Sequence, residues 1–297
     1  MNKKNTLGKT NLIQEFRRRF IEEDLPLGGL HHYTSIEGFK RIIDSKEIWA
    51  TSANYLLNDP TETTHARKIS LEILRERKND FKGKEKLYEN CKSSIETSGR
   101  SKEFMCICSF SEEGDLLSQW RAYCPKGGVS IGFNIRKQEQ VKYDTEELKI
   151  NEQYLYKCIY DPREQKQQIN NLFDFLLKYA DITKDLGGFF WKMIQTFSYS
   201  FKHESFKEEK EWRLCYFYSP DCNQLKYRTK YSMLIPCLPF SIFDDNGLSI
   251  ISRIMIGPSR DKEKLSYPIW SYLNDSGVPL SPQKIKVTQT PYQILWE

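Results

Sequence analysis

The sequence predicts an α+β fold built on a mixed, mostly antiparallel central sheet with inserted helices. Three observations lead there. Short runs rich in β-branched and aromatic residues recur through the chain, as in EFMCICSFS (103–111), VSIGFN (129–134) and EWRLCYFY (211–218). Helical periodicity lies between them and is concentrated in residues 162–206. The strands and helices do not alternate in the regular βαβ order of a parallel sheet.

The elements follow in order. Ile13, Phe16, Phe20 and Ile21 give residues 10–22 one apolar helical side, and Pro26, Gly28 and Gly29 end it. Residues 1–29 are thus expected to be a helical extension. Residues 30–297 are expected to form a single domain with a helical insertion around 162–206. Leu30 to Tyr33 read as a strand. Thr34, with Glu37 three residues on, reads as a capping box for a helix buried through Ile36, Phe39, Ile42 and Ile43. EIWATS (47–52) is a second strand. Asp59 and Pro60 suit the N-cap and first turn of a helix over 60–78, and a polar helix follows over 84–97. GDLLSQWRAYC (114–124) is a short helix or turn, and YLYKCIY (154–160) a strand. In 162–206, Leu172, Phe175, Leu176 and Tyr179 are in register, and Gly187-Gly188 divides the stretch in two. KYRTKYSMLIP (226–236) and ISRIMIGP (251–258) read as one strand each, followed by a helix over 261–274 and a last strand in QKIKVTQT (283–290).

Bulk composition bounds the function. The chain has 297 residues, 39% of them hydrophobic, with 17 Phe, 17 Tyr and 6 Trp, enough for a core. A net charge of +5 on 85 charged residues is too small an excess to imply nucleic-acid binding. The N-terminus MNKKNTLGKT lacks an apolar signal region, and no run of 18 apolar residues predicts a membrane span. The eight cysteines include no Cys-x-x-Cys pair and lie mostly in apolar runs, which fits free thiols in a reducing cytoplasm better than a zinc site.

Five clusters carry chemistry-bearing residues: His32-Tyr33-Thr34, Asn58 to Glu62, Ser118 to Tyr123, Gly127 to Phe133, and KHESFKEEKEWRL (202–214). Each has a structural reading: His32 and Tyr33 satisfying backbone groups, Asp59 as a cap, Trp120 as core, Glu209 and Glu211 paired with lysines. Their recurrence at the ends of separate strands favours a site. KEEKEWRL places Glu209, Glu211 and Arg213 at alternate positions, hence on one strand face, with Trp212 and Leu214 turned to the core. Trp120 is expected to pack beneath the cleft while its neighbour Arg121 projects into it.

The motifs HHYTS…IWATS…LNDPTE, CSFSEEGDLLSQWRAY…GGVSIGF, KHESFKEEKEWRL and IMIGP, in that order over roughly 30–275, resemble the mainly bacterial family known as domain of unknown function 2971. The sequence departs from that pattern at His31, where Tyr is common, and at Gln119 to Ala122, where Trp-Ala-His/Arg is common. The site pattern also resembles, more loosely, the ADP-ribosyltransferase superfamily, whose split antiparallel sheet holds NAD in an open groove. That resemblance implies His32 at the adenosine ribose, with Ser52 or Tyr55 supporting the nicotinamide end. It implies Glu211 at the 2′-hydroxyl of the nicotinamide ribose, with Glu209 beside it. His32 and Glu211 are then the expected catalytic residues. Tyr33, Thr34, Ser52, Tyr55, Asn58, Asp59, Arg121, Tyr123, Glu209 and Arg213 are the expected NAD-binding ones, Arg121 or Arg213 neutralising the pyrophosphate. A carboxylate beside the ribose would stabilise the oxocarbenium-like transition state of glycosidic cleavage.

The expected function is therefore an NAD-using ADP-ribosyltransferase-like enzyme, in a bacterial setting a toxin or antiphage effector, with a nucleotide substrate and a protein or nucleic-acid acceptor. Two other readings stand beside it: a non-catalytic module that binds nucleotide, nucleic acid or protein, and a metal-dependent nuclease using His32, Asp59, His203, Glu209 and Glu211. A single site requires His32, Asp59, Arg121, Tyr123 and Glu211 to line one cleft. Glu211→Gln is then expected to abolish turnover at unchanged thermal stability.

Overall fold

The computed structural model describes residues 26, 28–55, 62–97, 104–135, 153–180, 186–218, 223–230 and 232–291. The helix expected at 10–22 and the residues Asn58 and Asp59 lie outside them.

Ten strands form one open sheet: β1 (Leu30–Thr34), β2 (Glu47–Ser52), β3 (Phe104–Ser111), β4 (Val129–Phe133), β5 (Gln153–Lys157), β6 (Glu211–Tyr218), β7 (Lys226–Lys230), β8 (Met233–Ser241), β9 (Ile251–Ile256) and β10 (Ile285–Val287). All pairings between these strands are antiparallel except β9 with β10, so the fold is α+β with a mixed, mostly antiparallel sheet. The run 226–236, expected as one strand, is divided between β7 and β8. Ser232 adopts a left-handed backbone (φ 59°) in the reversal between them. The pairing along β3 is forked. One edge is paired along its length with β6, which also pairs β5. The other edge carries β1 at Ser111 and β2 at Cys106 and Ile107, so two arms, β1-β4-β9-β10 and β2-β8-β7, diverge from it.

Helices cover both faces. Those described are α1 (Ile36–Ser45), α2 (Glu62–Glu76), α3 (Glu85–Thr97), α4 (Leu117–Tyr123), α5 (Pro162–Tyr179), α6 (Leu186–Ser200) and α7 (Ser266–Asp275). On the first face, α2, α3, α5 and α6 enclose a core with Met105, Ile107, Tyr156 and Cys215 of the sheet. On the same face, farther along, α4 seats Trp120 and Cys124 against Tyr33. On the second face, α1 and α7 cover Leu30, Cys106, Cys108, Phe110, Ile131, Trp212 and Ile254. Helix α6 already includes Gly187 and Gly188, so the break in the helical stretch precedes them. No helix among the described residues is long and apolar enough to cross a membrane. Seven cysteines are described, all buried and free.

The cap of α1 is Ser35, not Thr34: the Ser35 hydroxyl accepts from the Gly38 amide at 3.1 Å. Thr34 remains in β1, paired with Val129, because the pairing with β4 holds it extended for one residue more than the capping pattern allows. Ser35→Ala should therefore lower stability by about 1 kcal/mol, and Thr34→Ala should leave the helix cap intact. Urea unfolding of the two variants checks this.

Candidate functional site

Strand parity sorts the expected residues. On β6, Glu211, Arg213 and Cys215 face the first core while Trp212 and Leu214 face the second. On β1, Leu30 and His32 point to the second face, and His31 and Tyr33 to the first. His32 and Glu211 are thus on opposite faces of the sheet, and the single cleft expected for them is not formed. The residue that shares Glu211's face is His31. Their register runs straight across five strands: Arg253 of β9, Gly132 of β4, His31 of β1, Ser111 of β3 and Glu211 of β6. At the usual strand spacing of about 4.8 Å, His31 and Glu211 are roughly 10 Å apart along this row.

The row lies between the two cores of that face, and its charged end is closed by ion pairs. Glu211 Oε1 accepts from Arg213 Nε at 2.8 Å, and Oε2 accepts from Lys202 Nζ at 2.6 Å and Arg213 Nη2 at 3.3 Å. Lys202 also donates to Glu209 at 2.6 Å, and Arg213 to the Tyr199 carbonyl. Lys202, Glu211 and Arg213 are all buried. Burial alone would raise the Glu211 pKa, but Arg213 and Lys202 outweigh it and hold the carboxyl down at about 2. Burial likewise opposes the charge on Lys202, and Glu211 above all keeps the ammonium protonated. A carboxylate has about four acceptor sites, so the three donors leave one on Oε1.

Glu209 belongs to a 3-10 turn (Glu204–Glu209), not to β6 as its alternate spacing suggested. Lys210, with a left-handed backbone (φ 43°), separates the two. Its link to Glu211 runs through Lys202, at the end of α6. The rest of the enclosure comes from α4 and the segment before it. Tyr123 stands 43% exposed, its phenol pushed up to about 12 by burial and by the nearby charges of Glu211 and Glu209. Tyr123 is thus a partly exposed aromatic residue near the two carboxylates.

Residues 112–116 roof the other end. A Cβ on Gly114 would stand 2.6 Å from the His31 ring, so only glycine lets the backbone pass there. The Tyr33 hydroxyl donates to the Glu113 carbonyl at 2.7 Å and accepts from the Leu116 amide at 2.9 Å. Tyr33 therefore anchors this roof and has no hydrogen to offer a ligand. His31 lies 3.4 Å from the Ser130 hydroxyl. Burial, with Arg253 adding to it, lowers its pKa to about 4, so the ring is neutral at pH 7.

The remaining expected residues are elsewhere. Ser52 is fully buried on the second face beside Cys106, Tyr55 is exposed in the 3-10 turn after β2, and Thr34 is at the end of β1. Arg121 is exposed on α4 next to the buried Trp120, as the helix geometry predicts. His32 donates to or accepts from its surroundings through Nδ1, 3.0 Å from the Ser109 carbonyl. Since a carbonyl only accepts, Nδ1 carries the hydrogen. The ring thus supplies the partner that β3 loses where β1 and β2 part. Of the five ligands the nuclease reading offered, His32 and Glu211 are on opposite faces and Asp59 lies outside the described residues; no group of three metal-ligating side chains occurs among the described residues.

Sequence reasoning passed over His31, Ser111 and Lys202. The signal for His31 was its spacing of two from Tyr33. Nothing local pointed to Lys202, which arrives from the end of a helix nine residues before Glu211.

A family model described as "Protein of unknown function (DUF2971)" matches residues 119–214, from α4 into β6. The matched stretch includes Tyr123, Lys202, Glu209, Glu211 and Arg213, and ends before β7. The comparisons with curated proteins and with solved structures return no match. Over residues 119–214 the chain is thus similar to this family, in keeping with the likeness its motifs suggest.

Proposed function

We propose that the row from His31 to Glu211 is the groove of an ADP-ribosyltransferase-like enzyme that cleaves the glycosidic bond of NAD. The observation that supports this reading best is Glu211: a carboxylate held ionised in a buried setting, with one acceptor position left, beside an accessible tyrosine. A fixed negative charge in a place of low dielectric is what a developing oxocarbenium ribose requires, and an aromatic edge suits a nicotinamide ring. His31, neutral and on the first strand, takes the place the resemblance gave to His32. Arg213 and Lys202 fix the carboxylate, which makes them positioning residues.

A non-catalytic binding module is favoured by a different observation. The charge of Glu211 is already matched by Lys202 and Arg213, which reduces what it has left for a transition state.

Incubation with NAD labelled on the adenylate, in cell lysate, separates the two. The transferase reading expects nicotinamide release and transfer of label. Tyr123→Phe, which leaves the ion pairs in place, should slow this by roughly tenfold or more, the effect of losing one positioned hydrogen-bonding group. A folded wild-type chain that releases no nicotinamide would overturn the transferase reading in favour of the binding module.

A further inference from the structure

The sheet ends on one side in β7, which pairs only β8 among the described residues. Its sequence, Lys-Tyr-Arg-Thr-Lys, divides between the two faces. Lys226 pairs Cys237, Cys237 pairs Thr51, and Thr51 pairs Ile107 of the first core. Lys226 and Arg228 are therefore on the first face. Tyr227 pairs Pro236, two residues from Leu238 of the second core, so Tyr227 is on the second face with Leu234. Tyr227 is 54% and Leu234 61% exposed.

The register also fixes which backbone groups of β7 are spent on β8. In an antiparallel pair, residues that exchange two hydrogen bonds alternate with residues whose N–H and C=O point away from the partner strand. Pro236 has no N–H, so Tyr227-Pro236 is of the second kind, and so is Thr229-Leu234 two residues on. The amides and carbonyls of Tyr227 and Thr229 thus point outward from the edge of the sheet.

Charge selects the strand that fits there. Lys226 is turned back along the sheet, its Nζ donating to Glu47 at 2.6 and 2.9 Å and standing 5.6 Å from the centre of the Trp49 ring. Arg228 is not matched in this way. Its Nε is buried and makes no hydrogen bond among the described residues, and no carboxylate among them pairs with it. A strand laid along the edge would bond to Tyr227 and Thr229, and its residue opposite Arg228 would occupy a pair without hydrogen bonds, where facing side chains stand closest. An acidic residue at that position completes the guanidinium. A second copy of β7 does not, because antiparallel pairing centred there sets Arg228 against Arg228, and like charges directly opposite are destabilising.

We propose that the outer edge of β7 takes an extended acidic peptide of another protein as a further strand. A carboxylate lies opposite Arg228, and the apolar residues on either side of it lie on the face of Tyr227 and Leu234. The backbone bonds supply affinity, and the alternation of acidic and apolar residues supplies selectivity. The proposal does not depend on the transferase reading.

The probe is the end-blocked peptide Thr-Val-Glu-Val-Thr, with Thr-Val-Lys-Val-Thr as its charge-reversed control. Hydrogen exchange of the full chain is followed amide by amide with each. In the free protein the Tyr227 and Thr229 amides should exchange faster than that of Arg228, which bonds to β8. The Glu peptide should slow both saturably. The Lys peptide should bind at least roughly tenfold more weakly, since it turns an attractive cross-strand pair into a repulsive one. Arg228→Glu should reverse that preference. Thr229→Pro, which removes an outward amide and none of the bonds to β8, should weaken the Glu peptide by roughly tenfold or more. Tyr227 and Thr229 amides that are not slowed by the Glu peptide, that are slowed equally by both peptides, or that are already protected in the free chain would overturn the proposal. So would protection that grows with protein concentration without peptide, since the occupant would then be a second copy.

Discussion

Glu211→Gln is expected to lower the unfolding free energy by about 3–5 kcal/mol at pH 7, the range for removing one partner from a buried ion pair. The reason is what stays behind. Arg213 loses both of its contacts to this carboxylate and Lys202 loses one, and both cations are buried. The unchanged stability that the sequence suggested assumed a carboxylate facing an open cleft. The structure puts it inside an ion network, so loss of activity in this variant must be read together with its stability.

The same group sets a pH dependence. Its folded pKa is about 2, against 4.5 for the unperturbed carboxyl. A depressed folded pKa stabilises the protein above the unfolded value, and that contribution fades as pH falls through the folded one. The gap between wild type and Glu211→Gln should therefore be widest at neutral pH and close between pH 4.5 and about 2. Urea unfolding of both proteins across that range measures it. A gap that does not vary with pH would mean that Glu211 is not ionised in the folded state.

Trp120→Ala should cost about 3–5 kcal/mol, the range for truncating a buried tryptophan. Trp120 has no exposed surface, meets Tyr33 edge-on at 4.6 Å and donates from Nε1 to Asp115 at 2.8 Å. Asp115 in turn accepts from Thr288 and Thr290, so the indole also ties the roof segment to the end of the chain. Gly257 passes so close that a Cβ there would be 2.7 Å from the ring, which leaves no slack for repacking around a smaller residue. Arg121→Ala, on the exposed side of the same helix, should change stability by less than about 1 kcal/mol. Thermal melts of the pair settle the comparison, and equal losses would show that Arg121 is part of the packing.

How far the site was legible depended on the range of the interaction. Trp212 and Leu214 inward with Glu211 and Arg213 on the reverse is an alternation written within four residues, and it holds. The division of Trp120 from Arg121 by about 100° of helix is equally local, and it holds as well. For the pair His31-His32 the same rule was silent. Both faces of this sheet are covered by helices, so Leu30 and Tyr33 are buried on opposite sides and neither parity reads as the polar one. Which histidine meets Glu211 depends on the pairing of His31 with Ser111, and of Ser111 with Glu211, across strands 80 and 100 residues apart in the chain.

The sequence by itself determined the α+β class, most of the strands and helices, and the face each residue of EWRL takes, because period-2 and period-3.6 patterns are properties of neighbouring residues. Only the tertiary structure decided that Lys202 closes the ion network from the end of α6, and that His32 fills a fork rather than a shared cleft. These depend on strand register and on where helix ends land, which are set by packing between distant segments and leave no periodic trace in the chain.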